Sequence, residues 1–211
     1  MTAANDRAER WRRHWDKSAP SYDRTMGVCE RLLLWDSRDW VCSRASGEVL
    51  EVAIGTGLNL AFYPGEIALT GIEWSPAMLS RARQRSGELG RETTLLEGDA
   101  RSLPFPAESF DTVVCTFSLC AIPDQPQAVA EMVRVVRPGG RLLLADHIGS
   151  SSRLVRAFQS VLEKATIPLA GERWVHRPRK EIEAAGLEVE SSQRFNLGLV
   201  ERLVARKPED K

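Results

Sequence analysis

The sequence has few of the residues that build metal centres or disulfide scaffolds. Its three histidines are dispersed, and its four cysteines show no paired spacing typical of a metal site. The cysteines are Cys29, Cys42, Cys115 and Cys120. Residues 1–17 are charged throughout and lack the apolar core of a signal peptide. We therefore expect no bound metal, reduced thiols and a cytoplasmic location.

An excess of one charge and long apolar runs are also missing. Lysine plus arginine equals aspartate plus glutamate, at 29 each, which argues against a general nucleic-acid binder. No apolar run approaches the roughly 18 residues that a membrane-spanning helix requires. With 211 residues and no internal repeats, the chain suits one domain with a substantial core.

Beyond residue 45, apolar strands alternate with amphipathic helices. After a first strand near residue 50, strands are predicted at 68–73, 93–97, 111–117, 141–145, 187–194 and 197–205. Helices are predicted at 75–85, 127–136, 151–170 and 178–185. This alternation indicates a doubly wound, mostly parallel α/β sheet, and the last two strands should form an antiparallel pair. We expect residues 46–206 to form this domain and residues 1–45 to be a helical lid within it.

The amino-terminal region predicts a helix over residues 6–17, on which Trp11 and Trp15 share one face among basic residues. A loop over 18–24 and a second helix over 28–45 should follow. The first helix could touch an anionic membrane surface or pack on the domain as a lid. The lid is favoured, because one short helix with two tryptophans is a weak indication of membrane binding.

A glycine turn follows the first strand. That apolar strand contains Glu51 and leads into Gly55, Gly57 and a predicted helix. Glycine lacks a Cβ, so the backbone can turn sharply and a ligand can lie against it. Thr56 or Asn59 could help to cap the helix. A carboxylate such as Glu51 is costly inside an apolar strand unless something binds it.

Two more acids follow the next two strands. Glu73 ends the second strand and Asp99 comes shortly after the third. The carboxyl ends of parallel strands meet at one edge of a sheet, where a carboxylate can accept hydrogen bonds from ribose hydroxyls. The plainer interpretations are that Glu73 caps the next helix and that Asp99 is an ordinary turn residue.

In combination, these segments resemble the class I S-adenosylmethionine (SAM)-dependent methyltransferases. The pattern Glu51-x-Ala53-x-Gly55-x-Gly57 is similar to the family's first motif, although the family usually has glycine at the position of Ala53. Glu73–Leu79 is similar to a second segment, with Glu in place of Asp. Glu97–Phe105 and Arg137–Gly140 are similar to two others, and the resemblance covers about residues 45–147.

The resemblance implies a Rossmann-like, seven-stranded sheet, with SAM as cofactor and S-adenosylhomocysteine (SAH) as product. It places Glu73 at the ribose, Trp74 against the adenine and Asp99 at the adenine amine. The residues implied at the cofactor are Tyr22, Glu51, Ala53, Gly55, Gly57, Asn59, Glu73, Trp74, Met78, Asp99, Ala100, Thr116 and Phe117.

The methyl acceptor is less defined. After the fourth strand the chain lacks the Asn/Asp-Pro-Pro-Tyr/Phe clamp of nucleic-acid amino-methylating enzymes, and Thr116, Phe117 and Leu119 make a mostly apolar floor. The segments Phe62–Pro64, Val114–Cys120 and Ala145–His147 look like the branch with alkyl-thiol and phospholipid methyltransferases. The expected partner is a small or lipid-like acceptor: a quinol or phenol, an amine, a thiol or a lipid headgroup. A non-catalytic SAM-binding module or an RNA methyltransferase is the alternative.

Tyr22 and His147 are the candidate catalytic residues. Tyr22-Asp23 resembles the amino-terminal Tyr-Asp of small-molecule methyltransferases, where the tyrosine closes over the sulfonium; a surface loop aromatic is the alternative. His147 follows the fifth strand and could be a general base or a structural histidine. His14 and His176 lie in charged segments and should be exposed, although His176 could flank the acceptor.

Overall fold

Seven strands form one sheet in the computed structural model of the protein, which describes residues 3–209. They are β1 (Glu48–Val52), β2 (Ala68–Glu73), β3 (Thr93–Glu97), β4 (Phe110–Thr116), β5 (Val136–His147), β6 (Glu188–Phe195) and β7 (Val200–Arg206). Their spatial order is β3-β2-β1-β4-β5-β7-β6. Strands β1 to β5 are parallel, and β7 is antiparallel to both β5 and β6. The predicted doubly wound sheet with an antiparallel carboxyl-terminal end is confirmed.

Helices cover both faces of the sheet. They are α1 (Ala3–Cys29), α2 (Ser37–Cys42), α3 (Pro76–Glu88), α4 (Gln125–Val135), α5 (Arg153–Ala170) and α6 (Pro178–Ala184). At the start of α3 the Ser75 hydroxyl accepts a hydrogen bond from the Met78 backbone N–H, and Pro76 occupies the first helical position. None of the described helices is both long and apolar enough to cross a membrane.

The core lies on the two faces of β1 and β4, and successive residues of β1 enter opposite halves of it. Leu50 packs in one cluster with Met132 of α4, and Val49 packs in the other with Ala82 of α3. Between β1 and β4 the strand order reverses direction, which is where open α/β sheets bind ligands.

The predicted loop over residues 18–24 is wrong, because α1 continues through it to Cys29. Pro20 lies inside the helix and removes one backbone hydrogen bond. Trp11 and Ala19 are buried, so contacts with the rest of the domain hold the helix together despite this local preference for a loop.

Two other helix predictions fail in part. The helix expected over residues 28–45 is divided into a π-helical turn at Glu30–Leu34 and the short α2, because Trp35 adopts a left-handed φ of 52°. The helix expected after the glycine turn is only a 3₁₀ turn at Leu58–Ala61, preceded by Gly57 with no side-chain cap. Neither Thr56 nor Asn59 therefore acts as a helix cap.

Candidate active site

A cleft opens at the carboxyl edge of the sheet, between β1 and β4. This switch-point cleft holds about 840 Å³ between protein atoms, part of it open to solvent. Most residues predicted to bind a cofactor line it: Tyr22, Ala53, Gly55, Glu73, Trp74, Met78, Asp99, Ala100, Thr116 and Phe117.

Glu73 ends β2 at the wall of this cleft. Its Oε2 accepts a hydrogen bond from the Gly55 backbone N–H at 2.9 Å, and its Oε1 accepts one from the Ser75 N–H at 2.8 Å. Burial raises the pKa of Glu73. A carboxylate has about four acceptor sites, so these two amide bonds leave capacity for two hydroxyl groups. Gly55 (φ 60°) has no atom within 4 Å of the place where a Cβ would lie, which leaves its backbone open to a ligand.

Asp99 lines the cleft just beyond the end of β3, the strand next to β2, and is paired with Arg101. The Arg101 Nη2 donates to Asp99 Oδ2 at 2.6 Å, and the guanidinium carbon lies 5.5 Å from the centre of the Trp74 ring. Arg101 Nε also donates to both carboxylate oxygens at 3.0 Å, and both side chains are 30% exposed, so the pair lies at the solvent-accessible edge of the cleft. An adenine amine at Asp99 would share the carboxylate with Arg101.

Glu51 does not line the cleft, contrary to the prediction. It is buried beneath it, where its Oε1 accepts from Asn59 Nδ2 at 2.7 Å and its Oε2 accepts from the Tyr63 hydroxyl at 2.9 Å. Burial raises the pKa of Glu51 to about 7, against the opposing effect of these donors. The strand continues beyond Glu51 to Val52, so the carboxylate lies below the rim. Gly57 and Asn59 are also absent from the lining.

Arg38 lines the cleft although no sequence motif marks it. Its Nη1 donates to Asn59 Oδ1 at 2.8 Å and to Thr116 Oγ1 at 3.2 Å, and its Nε pairs with Glu30. Among the described residues that line the cleft, it is the only lysine or arginine. Its Nε and Nη1 are engaged, and no hydrogen bond from Nη2 is found within residues 3–209, so the guanidinium keeps a donor for an anionic part of a ligand.

Two residues of the cleft have a strained backbone. Ala53 and Phe117 have φ values of 56° and 51°, in the left-handed region that costs a residue with a Cβ about 1–2 kcal/mol. The class I SAM-dependent methyltransferases usually have glycine at the position of Ala53, and glycine adopts a left-handed φ without strain.

Helix α1 is attached over the cleft by two aspartates. Asp23 Oδ1 accepts from the Thr56 hydroxyl and Oδ2 accepts from Arg85 Nη2, both at 2.6 Å. Asp16 Oδ1 accepts from the Ser75 hydroxyl at the start of α3. We call the contacts of Asp23 the Asp23 latch. They join the helix to the glycine turn and to α3.

The tryptophans of α1 face the domain. Trp11 is buried against Gly171, and Trp15 lines the switch-point cleft. This placement supports the lid interpretation and not the interpretation in which the two tryptophans contact a membrane.

A second cavity lies beside the cleft, between α1, α5 and the end of β5. This α1–α5 cavity holds about 1280 Å³, part of it open to solvent. It shares Trp15, Tyr22, Phe117 and Ala121 with the switch-point cleft. Leu119, predicted as part of an apolar floor, is instead buried in the core. The four shared residues, Trp15, Tyr22, Phe117 and Ala121, form the common wall between the cleft and the cavity, which are two adjoining chambers.

His147 lines the α1–α5 cavity at the end of β5. Its Nδ1 lies 3.5 Å from Asp146 Oδ1, and its Nε2 has no hydrogen-bond partner in the described structure. Burial lowers the pKa of His147, although the nearby Asp146 opposes the effect. His176 is buried, contrary to the prediction, and its Nε2 donates to the His147 carbonyl. His14 is half-buried and also lines the cavity.

Glu172 and Trp174 line the same cavity and were not anticipated from the sequence. Burial raises the pKa of Glu172, and no hydrogen bond or ion pair to its carboxylate is found within residues 3–209. The Trp174 indole N–H is buried and also lacks a partner in that part of the chain. Buried polar groups normally have partners, so both groups are suited to a bound molecule.

Comparisons with known proteins agree with this geometry. Residues 50–144 match the model of a methyltransferase domain family. The chain is 40% identical to a phosphatidylethanolamine N-methyltransferase from Cereibacter sphaeroides, over 64% of this chain and 71% of that protein. It is 35% identical to a demethylmenaquinone methyltransferase from Deinococcus radiodurans, over 72% and 68%.

Solved structures show the same fold. A SAM-dependent methyltransferase from Thermotoga maritima superposes with a TM-score of 0.70 at 22% identity, over 92% of this chain and 99% of that one. The sheet order, the family match and the relatives all point to the same cofactor, SAM. The chain belongs to the class I SAM-dependent methyltransferases.

Proposed function

We propose that the enzyme methylates the amine of a small, lipid-like acceptor. The observation that carries this proposal is Glu172, a half-buried carboxylate with no side-chain partner among residues 3–209, in the apolar and aromatic α1–α5 cavity. Tyr22 separates this cavity from the switch-point cleft and lines both. The donor and the acceptor therefore occupy adjoining chambers.

Different residues of the switch-point cleft bind different parts of the cofactor. Glu73 accepts from the ribose hydroxyls, Trp74 packs on the adenine, and Asp99 accepts from the adenine amine. Arg38 binds the carboxylate of the methionine end, because it is the cation of the cleft and lies against Thr116. Bound SAM would supply a sulfonium methyl group, which an in-line nucleophile would take as the S–CH3 bond breaks and SAH leaves.

The common wall provides alignment. Trp15, Tyr22 and Phe117 are contributed by the lid and by the end of β4, so closure of α1 brings the two reactants together and excludes water. Burial raises the pKa of Tyr22 to about 12. Tyr22 therefore keeps its proton and acts by position.

Glu172 and the aromatic side chains recognise an ammonium group. A carboxylate attracts the positive charge, and the faces of Trp15 and Trp174 add cation–π attraction. The nitrogen must lose a proton before it attacks. His147 takes that proton, because its lowered pKa keeps the imidazole neutral at pH 7 and Asp146 lies beside Nδ1.

Methylation of a quinol ring carbon is the second candidate. The Deinococcus radiodurans relative is named a demethylmenaquinone methyltransferase, and Phe117, Leu34 and Leu199 give the cavity an apolar wall. A quinol would use His147 as a base in the same way but would gain nothing from a carboxylate at Glu172.

Glu73→Gln should weaken the binding of SAM and SAH about 10- to 100-fold. The Gln side chain has one oxygen for the N–H groups of Gly55 and Ser75, and it loses charge-assisted bonds worth roughly 1.5–3 kcal/mol. Isothermal titration measures the change. Glu97→Gln is the control, because Glu97 pairs with Glu73 in the sheet register but is exposed. Equal affinities in both variants would show that the ribose lies elsewhere.

Glu172→Gln should raise KM about tenfold or more for an amine acceptor, since a charge-assisted contact is lost. For an uncharged demethylquinol, KM should not change. Initial rates with both acceptors at saturating SAM test this. An equal effect on the two acceptors, or none on either, contradicts recognition of an ammonium group by Glu172.

His147→Gln should lower kcat about 10²- to 10⁴-fold and remove the acid limb of its pH profile. In the wild type, the rate should fall as the pH drops through the pKa of His147, which lies below the usual value of about 6.5. The titratable side chains near His147 that can influence this pKa are Asp146, His176, Glu163 and Glu172. His14→Gln is the control, because His14 lines the same cavity from α1. An unaltered limb in His147→Gln removes the base role.

A further inference from the structure

We propose that the outer face of α5, with the π-helical turn and the β6–β7 turn, docks on an anionic lipid bilayer. We call this the α5 face. It rests on the proposed function, because docking there presents the mouth of the α1–α5 cavity to a lipid-like acceptor. The occupant is the membrane surface itself, and the chain remains at the interface.

Helix α5 turns its apolar side outward. Leu154, Phe158, Val161 and Leu169 are 85%, 69%, 63% and 65% exposed, and their spacing places them along one side of the helix. The buried residues of α5 include the polar Gln159, whose amide bonds to backbone groups. An apolar stripe on the solvent side is the reverse of what a core-packing helix needs. An exposed patch of this kind marks an interaction surface.

Neighbouring segments extend this stripe. Leu197, in the β6–β7 turn, is exposed, and its carbonyl accepts from the Ser151 backbone N–H just before α5. Asn196 of the same turn donates to the Leu33 carbonyl in the π-helical turn. Trp35 is exposed and stacks on Phe195 at 5.3 Å between ring centres. The three segments therefore form one continuous surface.

The α1–α5 cavity opens among these segments. The residues of these segments that line it are Leu33 and Leu34 of the π-helical turn, Gln159 of α5 and Leu199 of the β6–β7 turn. Leu33 is also exposed, so the cavity reaches the surface within the α5 face. An acyl chain or prenyl tail could pass from a bilayer into the cavity without crossing water.

The charges of the α5 face complement an anionic surface. Arg153 and Lys164 are the exposed charges of α5, whereas its acid, Glu163, accepts from the backbone N–H groups of Trp174 and Val175. The acids of the adjoining segment are also neutralised: Glu30 pairs with Arg38 and Asp36 pairs with Arg202. Basic residues beside a solvent-facing apolar stripe are typical of helices that lie in the bilayer interface.

Co-sedimentation with vesicles tests the proposal. The full chain should bind vesicles of phosphatidylcholine with about one third phosphatidylglycerol, and more weakly vesicles of phosphatidylcholine alone. The double variant Leu154→Gln/Phe158→Gln should bind at least tenfold less. Leu89→Gln, which changes an exposed leucine at the far end of α3, should bind like the wild type. Arg153→Gln/Lys164→Gln should lose the preference for the anionic vesicles.

Binding is measured without SAM or acceptor, so it is independent of turnover. If the wild type binds vesicles but a separate assay with SAM and a lipid-like amine detects no methyl transfer, the proposed function is refuted and the docking face stands. Absence of vesicle binding, or equal binding by the Leu154→Gln/Phe158→Gln and Leu89→Gln variants, overturns the docking proposal. Sedimentation velocity covers the other occupant: a wild-type dimer that the double variant dissociates, with no vesicle binding, would assign the face to a second copy of the chain.

Discussion

The position of α1 over the site depends on the hydrogen bonds that the Asp23 carboxylate accepts. It accepts from Thr56 in the glycine turn and from Arg85 in α3, both at 2.6 Å. Arg85 also donates to the Thr56 carbonyl, so the latch closes a network of three side chains. Because Tyr22 precedes Asp23 in the same helical turn, the latch fixes the wall between the two chambers.

Beneath the switch-point cleft, a second polar layer supports the residues that face it. Glu51 holds Asn59, and Asn59 accepts from Arg38. Thr116 lies within hydrogen-bonding distance of both Asn59 and Arg38. This layer explains why a carboxylate is tolerated in the middle of β1: its donors are supplied by the chain. Glu51 is thereby connected through Asn59 to Arg38, which lines the cleft.

The sheet and much of the cleft were predictable, because strand periodicity and the acids at strand ends are local signals. Glu73 and Asp99 belong to this group. Three other residues could not be predicted, since each reaches its cavity through tertiary packing and has no motif around it: Arg38, Glu172 and Trp174. The loop prediction within α1 failed for a related reason. Pro20 is a local sign of a loop, whereas the burial of Ala19, which outweighs it, is a property of the folded domain.

The central claim is that α1, held by the Asp23 latch, closes the donor and acceptor chambers together. Hydrogen–deuterium exchange of α1 with and without SAH tests it most directly, in the wild type, in Asp23→Asn and in the control Asp6→Asn, an exposed acid of the same helix. SAH should slow exchange around Tyr22 in the wild type and the control, and much less in Asp23→Asn. Exchange in α1 that SAH leaves unchanged in the wild type, or slows equally in Asp23→Asn, would contradict the account.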